Sequence, residues 1–226
     1  MTQKQQTTVG TANAKNMTFG YGSPAGDTTR QDVAAETSAE KDHDNDARRV
    51  FVIHGRDEEA RKAVFDFLRA LGLNPLEWEQ LIRAMRSAAP SLSEVVVNAP
   101  RQAQAVVALL TPDDVVQLHP ALRGDGEAAA DRLTSCQARP NVFLELGMAL
   151  AIQPTRTIIL EAGVMRRTAD LDGLNYVRID HTARWRNKVA ERLQNAGCPV
   201  DRSGADWQDL VRFAGLAAFR RTAFNE

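Results

Sequence analysis

The sequence predicts an α/β fold in which one parallel sheet of five strands carries helices on both of its faces. Short apolar runs, such as 50–53 and 105–110, alternate with segments whose apolar residues recur every three or four positions. The strand-like runs are apolar throughout, which is typical of strands buried on both faces. Alternation of this kind is the pattern of a doubly wound sheet.

Composition limits the classes of protein to which the chain can belong. It has 226 residues, 43% hydrophobic and 25% charged, as expected for one globular core with extensions. The net charge of -1 gives no general attraction to polyanions, so no direct nucleic-acid partner is expected. No signal peptide and no apolar run near the roughly 20 residues of a spanning helix are found. We therefore expect a cytoplasmic protein with no membrane partner.

The cysteines indicate neither a disulfide framework nor a metal site. Cys136 and Cys198 are the only two, and neither lies in a CxxC motif or beside a histidine cluster. A reducing compartment and the absence of a bound metal are therefore expected.

Three parts of the chain are predicted from composition. Residues 1–48 contain no Leu, Ile or Trp, so they cannot bury enough apolar surface to offset their conformational entropy. We expect a flexible polar leader there, in which the aromatic patch 17–21 either docks on a partner or on the domain, or is passive. Residues 49–204 form the predicted α/β domain, and 205–226 form a C-terminal helical extension.

The first half of the domain begins with a buried strand at 50–53. Asp57 is predicted to cap the helix that follows, and Gly72 to end it. The second strand, 73–78, contains Pro75 and is therefore predicted at an edge of the sheet.

The pattern after the second strand is less regular. Residues 81–89 are compatible with a helix or a loop, and a capped helix is predicted over 91–99. The remaining elements alternate between strands and helices. They are a strand at 104–110, a long loop to 140, a helix at 141–151 capped by Asn141, strands at 156–160 and 174–179, and helices at 182–196 and 205–224.

Three polar segments, 54–57, 111–114 and 139–141, come at strand ends or at a helix start. Ligands of open α/β sheets bind outside the carboxyl ends of the strands, so we expect these segments to meet at one edge. Gly55 permits close approach of the backbone, and Arg56 would add to the positive N-terminus of the next helix. This combination suits a phosphate or a pyrophosphate.

Glu145 is a single carboxylate inside the otherwise apolar helical segment 141–150. Three explanations are compatible with the spacing. Glu145 could face solvent, it could form an ion pair with an arginine such as Arg139, or it could lie in a cleft with a raised pKa that serves chemistry.

Three segments, 50–57, 109–114 and 139–147, resemble the signature segments of bacterial TIR-like domains, the predicted nucleotide-binding branch found in anti-phage defence effectors. Their order and spacing match from about 49 to 200. The resemblance implies a flavodoxin-like TIR fold and an NAD glycohydrolase. Such an enzyme splits the bond between nicotinamide and ribose and gives nicotinamide and linear or cyclic ADP-ribose. NAD is then a substrate, and no cofactor is expected.

The resemblance also assigns residues. Glu145 falls at the position of the family's catalytic glutamate, where an anion near the ribose orients hydroxyls and stabilises oxocarbenium character. His54 could instead only hydrogen-bond at the strand end, Asp113 could only cap a short helix, and Arg139 is expected to orient Glu145 or the phosphates. The residues implied to line the substrate site are His54, Gly55, Arg56, Asp57, Thr111, Asp113, Asp114, Arg139 and Asn141.

Two departures from the family pattern bear on activity and assembly. Pro140 stands where family members usually have Gln, and the segment 79–86 lacks the usual glycine of the loop after the second strand. In TIR domains this loop contacts a neighbouring subunit and gates the cleft. The departure favours the alternative that the chain is an adaptor or nucleotide-binding module with little activity.

The resemblance implies a homo-oligomer or filament on activation. The leader is too short and polar to fold as a cyclic-nucleotide-binding module, so the expected trigger is a separate sensor protein or a cyclic-nucleotide signal acting at the TIR-like domain. A phosphoreceiver-like domain is disfavoured, because Asp180 and His181 end the fifth strand with no nearby lysine.

Overall fold

The computed structural model describes residues 46–77, 80, 102–125, 132–166, 173–209 and 211–224. The predictions for residues 1–45, 81–89 and 91–99 lie outside this part of the chain. The strands are β1 (Arg49–His54), β2 (Asn74–Leu76), β3 (Ala105–Leu110), β4 (Asp114–Val116), β5 (Ser135–Gln137), β6 (Thr157–Ala162) and β7 (Tyr176–Ile179). The helices are α1 (Glu58–Ala70), α2 (Pro140–Ile152), α3 (Arg184–Asn195) and α4 (Val211–Ala214).

Five of the strands form one parallel sheet in the order β2-β1-β3-β6-β7. The chain moves from β1 to one side for β2 and then crosses to the other side for β3, which places helices on both faces. The predicted fold class is confirmed. Pro75 lies in the edge strand β2, where its missing N–H costs no hydrogen bond to a further strand.

The core has two parts because alternate strand residues point to opposite faces of the sheet. Val52 packs in a cluster with residues of α1 and α3, whereas Ile53 packs in a cluster with residues of α2. All six residues of β3 are buried, which explains why this strand is apolar throughout. Each of its Val and Leu side chains contributes roughly 1.5–3 kcal/mol when it is fully buried.

Helix α1 begins and ends as the sequence predicts. The Asp57 side chain accepts a hydrogen bond of 2.9 Å from the amide of Ala60, which is an N-cap contact. Gly72 follows the helix with a φ of 73°, a conformation that L side chains disfavour. The cap at Asp57 also fixes the position of the loop between β1 and α1.

Two predictions between β3 and β6 are corrected. The segment 111–140 contains β4 and β5, which pair antiparallel and are too short for a period to show in the sequence. Asn141 is not the N-cap of α2. Arg139 has this position, because Pro140 has a fixed φ that suits the first helical residue and needs no hydrogen bond there.

The helix predicted over 205–224 is also wrong. The described residues of this segment form a 3₁₀ turn (Asp206–Gln208), α4, and a second 3₁₀ turn (Ala217–Phe219). Of the described apolar residues that suggested a helical stripe, Trp207 and Leu216 are buried, whereas Val211 and Ala214 are exposed. Phe213 packs on Trp185 of α3 with ring centroids 4.7 Å apart, and the buried Arg186 donates a hydrogen bond to the backbone oxygen of Asp209.

The segment after α3 thus contributes side chains to the same core as α1 and α3. The predicted domain boundaries at residues 48 and 204 stay predictions. Among the described residues, no helix is long and apolar enough to cross a membrane.

Candidate active site at the carboxyl edge of the sheet

The loops after β1 and β3 contact each other at the carboxyl edge of the sheet. The amide of Arg56 donates a hydrogen bond of 2.8 Å to Oδ2 of Asp113. A Cβ atom on Gly55 would overlap this Asp113 carboxylate, so only glycine leaves room for the contact. Gly55, Arg56 and Asp113 are therefore neighbours, although 57 positions separate Arg56 from Asp113 in the sequence.

Asp57 and Asp113 are buried carboxylates that share one guanidinium group, that of Arg221. Their side chains are only 3% and 4% exposed. Nη1 of Arg221 lies 2.8 Å from Oδ2 of Asp57 and 3.8 Å from Oδ1 of Asp113. The remaining oxygen of each carboxylate accepts a backbone N–H, from Ala60 and Arg56 respectively. Asp57 and Asp113 thus bind the chain's own donors.

No feature of the sequence marks Arg221 as a partner of Asp57 and Asp113. This residue lies 164 positions after Asp57, in a segment for which a helix was predicted. An ion pair between distant parts of a chain leaves no periodic signal in the sequence. The only available hint is a basic residue close to apolar positions, which is too common to indicate a contact.

Asp114 and Arg139 form a second ion pair, with Nη1 of Arg139 at 3.1 Å from Oδ1 of Asp114. Both side chains are partly exposed. The pair joins the start of β4 to the start of α2, so Arg139 is engaged with Asp114 rather than with Glu145. Asn141 is exposed in the first turn of α2.

His54 is the last residue of β1, and Thr111 directly follows β3. Nδ1 of His54 lies 2.9 Å from the backbone oxygen of Gly55, and its ring meets that of Phe65 edge to face. Thr111 is 1% exposed, and its backbone oxygen accepts the amide of Asp113. Both residues have local contacts that shape the two loops.

Glu145 is half-buried in the middle of α2. Val142 and Ala149, which precede and follow it by about one turn, are both buried against the sheet. Burial raises the pKa of Glu145 from 4.5 to about 7. No hydrogen bond or ion pair joins its carboxylate to another residue in the part of the chain that the structure describes. The raised pKa agrees with the third explanation and Arg139 is not the partner of Glu145, while a role of Glu145 in chemistry stays a prediction.

Other sources of chemistry are poorly represented in the described ranges. No group of three or more His, Cys, Asp or Glu side chains there is placed to hold a metal ion. Burial raises the pKa of the Cys136 thiol and that of Cys198, the latter to about 11, so both thiols are protonated and weak nucleophiles near neutral pH.

A cavity of about 280 Å³ borders Arg221. Residues 134–136, 164–166 and 221–224 line it, and Glu145 does not. This cavity therefore does not indicate where a substrate of Glu145 would bind.

Comparison with known proteins places the described site in context. Residues 49–181 match a family model described as CAP12/Pycsar effector protein, TIR domain. The chain is also 29% identical over 164 residues to an uncharacterized protein of Escherichia coli (strain K12), YuaY. This similarity covers 70% of the chain and 49% of YuaY, so the chain spans about half the length of the curated relative that it matches. The matched family region includes Glu145 and ends before Arg221.

Proposed function

The chain belongs to the family of CAP12/Pycsar effector TIR domains, and on this basis we propose that it is an NAD glycohydrolase of anti-phage defence. The proposed reaction breaks the bond between nicotinamide and ribose. The same ribose carbon then forms a new bond. Attack by water gives linear ADP-ribose, and attack by the adenine ring of the same molecule gives cyclic ADP-ribose. The family membership supports a TIR-type anti-phage effector, and the reaction itself is our proposal.

The environment of Glu145 is the observation that carries this proposal. Glu145 is a half-buried carboxylate with a pKa of about 7 and no partner among the described residues, so its ionised form lowers the stability of the fold. A carboxylate in such an environment is a candidate for a functional role. The positive nicotinamide ring of a bound NAD would favour the ionised form of Glu145. The carboxylate could then orient the ribose hydroxyls and stabilise positive charge that develops on the ribose. Nicotinamide leaves as a neutral molecule, so no general acid is needed.

The contacts at the N-terminus of α1 refine the expected pyrophosphate site. The amides of Arg56 and Ala60 already donate to Asp113 and Asp57. The first turn of α1 also carries Glu58, whose charge opposes anion binding. We therefore assign the pyrophosphate contact to the exposed guanidinium group of Arg56 rather than to these backbone amides.

Activation is proposed to require self-association into a homo-oligomer or filament. A separate sensor protein or a cyclic nucleotide would supply the signal, and neither nucleic acid nor a membrane is a proposed partner. The segment 79–86, in which the chain departs from the family pattern, lies outside the described residues except for Gln80.

Nicotinamide release from NAD tests the proposal. The full-length protein is assayed at high concentration with a crowding agent, beside Glu145→Gln and the control Glu191→Gln, which changes an exposed glutamate of α3. We expect Glu145→Gln to lower kcat at least about 100-fold, because a well-placed charge contributes this much to a transition state. Glu191→Gln should match the wild type.

Two outcomes would change the proposal. Turnover that survives Glu145→Gln would show that the active site lies elsewhere. A folded wild-type protein that releases no nicotinamide even when clustered would favour the adaptor alternative.

A further inference from the structure

The C-terminal part of the described chain is built into the carboxyl edge of the sheet. The amide of Ala217 donates a hydrogen bond of 3.0 Å to Oε2 of Glu59 in α1. Ala218 is fully buried, and Gly163, just after β6, leaves room for the backbone oxygen of Ala218 that a Cβ atom would overlap. These contacts fix the backbone a few residues before Arg221.

Arg221 supplies the positive charge between two carboxylates that have almost no access to water. Asp57 caps α1 and so belongs to the loop after β1, whereas Asp113 belongs to the loop after β3. The Arg221 guanidinium contacts Asp57 directly and lies 3.8 Å from Asp113. Two buried negative charges so close together repel each other unless a cation lies between them. Removing Arg221 therefore leaves each carboxylate with one backbone N–H donor and no cation, and separation of the two loops would relieve the repulsion between them.

We propose that Arg221 is a positioning residue, which holds the loops after β1 and β3 in the one arrangement that binds the dinucleotide. The inference rests on the proposed NAD-cleaving function. Arg221 acts through Asp57 and Asp113 and is not assigned a contact with the reacting atoms. It lies 40 positions beyond the end of the matched family region at residue 181.

The contacts of Arg221 indicate that its loss affects NAD binding more than bond cleavage. Asp113 accepts the amide of Arg56, and Arg56 carries the side chain assigned to the pyrophosphate. Among the described residues, no hydrogen bond or ion pair joins Glu145 to Arg221. Loss of Arg221 should therefore weaken NAD binding more than it slows bond cleavage, which appears as a rise in KM with a smaller change in kcat.

Three variants of the full chain test this inference. Arg221→Ala removes the charge, and Arg221→Lys keeps a charge that can reach at least one carboxylate. Arg212→Ala is the matched control, because Arg212 lies in the same segment and pairs with Asp209 at 3.7 Å, away from the two loops. Thermal unfolding followed by circular dichroism shows which variants are folded, and Arg221→Lys keeps the test available if Arg221→Ala does not fold.

Two measurements are made on each folded variant. Hydrogen exchange on peptides that cover 54–60 and 111–114 reports the loops whether or not the protein turns over NAD. We expect exchange there to rise about tenfold in Arg221→Ala, to rise less in Arg221→Lys, and to stay unchanged in Arg212→Ala. KM for NAD should rise about tenfold in Arg221→Ala, with kcat within about threefold of wild type and partial recovery in Arg221→Lys.

The outcomes separate this inference from the proposed function. Unchanged exchange in the two loops of Arg221→Ala would overturn the role of Arg221 whatever the enzyme does. Increased exchange with an unchanged KM would overturn its role in substrate binding. Absence of nicotinamide release from the wild type would reject the proposed function, while the exchange data would still decide whether Arg221 holds the loops.

Discussion

The molecule keeps acidic side chains in two contrasting environments. At the loops after β1 and β3, Asp57 and Asp113 are more deeply buried than Glu145, yet every carboxylate oxygen there faces a donor or a cation. In the middle of α2, Glu145 is less buried and has no partner among the described residues, so desolvation raises its pKa to about 7. Burial alone does not mark a functional carboxylate. If Glu145 acts as proposed, the absence of compensation is what distinguishes it from Asp57 and Asp113.

The pH dependence of NAD cleavage provides the sharpest test of this contrast. If ionised Glu145 is required, kcat/KM should fall about 50-fold between pH 7 and pH 5, with a slope that approaches about tenfold per pH unit below pH 6. The profile is measured by nicotinamide release at low NAD concentration. Glu191→Gln should show the same acid limb.

An acid limb centred near pH 4.5 would contradict the assigned environment of Glu145. It would mean that the carboxylate of the free enzyme is ionised as readily as one in water. The contrast with Asp57 and Asp113 would then have no electrostatic basis.

Gly55→Ala tests the other environment, the loops after β1 and β3 in which Asp57 and Asp113 have partners. The added Cβ would overlap Oδ2 of Asp113 and force apart the contact between that carboxylate and the Arg56 amide. We expect the free energy of unfolding to fall by about 2 kcal/mol, as for overpacking at a tightly packed position. Urea unfolding measures the change.

Gly147→Ala is the matched control, since nothing lies within 4 Å of the Cβ position in this exposed turn of α2. It should stabilise the protein by roughly 0.5–1 kcal/mol, because alanine favours a helix over glycine. Equal effects of the two substitutions would show that the contact at Gly55 has no special weight.

Much of the scaffold could be predicted from the sequence because the two core faces impose strong local patterns. Residues 50–53 and 105–110 are apolar throughout since β1 and β3 are buried on both faces. Asp57 and Gly72 were identified because capping depends on residues close in the sequence. The same local reasoning singled out Glu145, the one charge in an apolar helix.

The parts that could not be predicted depend on contacts between distant residues. Arg221 reaches Asp57 and Asp113 through the tertiary fold, and no pattern around residue 221 encodes its partners. Arg139 was expected to orient Glu145 or the substrate phosphates. It pairs with Asp114, because the β4–β5 pairing brings Asp114 to the start of α2, and its contact with the phosphates stays a prediction. This pairing was itself hidden by the shortness of its strands.

The last expected effect concerns the pH dependence of stability and follows from the raised pKa of Glu145. Its folded-state pKa of about 7 exceeds the ordinary 4.5, so the folded protein binds more protons than the unfolded chain between these values. The free energy of unfolding therefore falls as pH rises from about 4.5 to 7. The full shift corresponds to about 3 kcal/mol, and screening of a half-buried group reduces our expectation to about 1–2 kcal/mol.

Glu145→Gln removes this loss because glutamine does not ionise. The variant should match the wild type at pH 4 and be more stable by about 1–2 kcal/mol at pH 8, measured by urea unfolding at each pH. Glu191→Gln should show no such pH-dependent gain. A variant that gains stability while it loses nicotinamide release would show that the chain keeps Glu145 ionisable at a cost in stability, as expected for a functional residue. Equal stability of wild type and Glu145→Gln at pH 8 would instead place Glu145 among the compensated carboxylates.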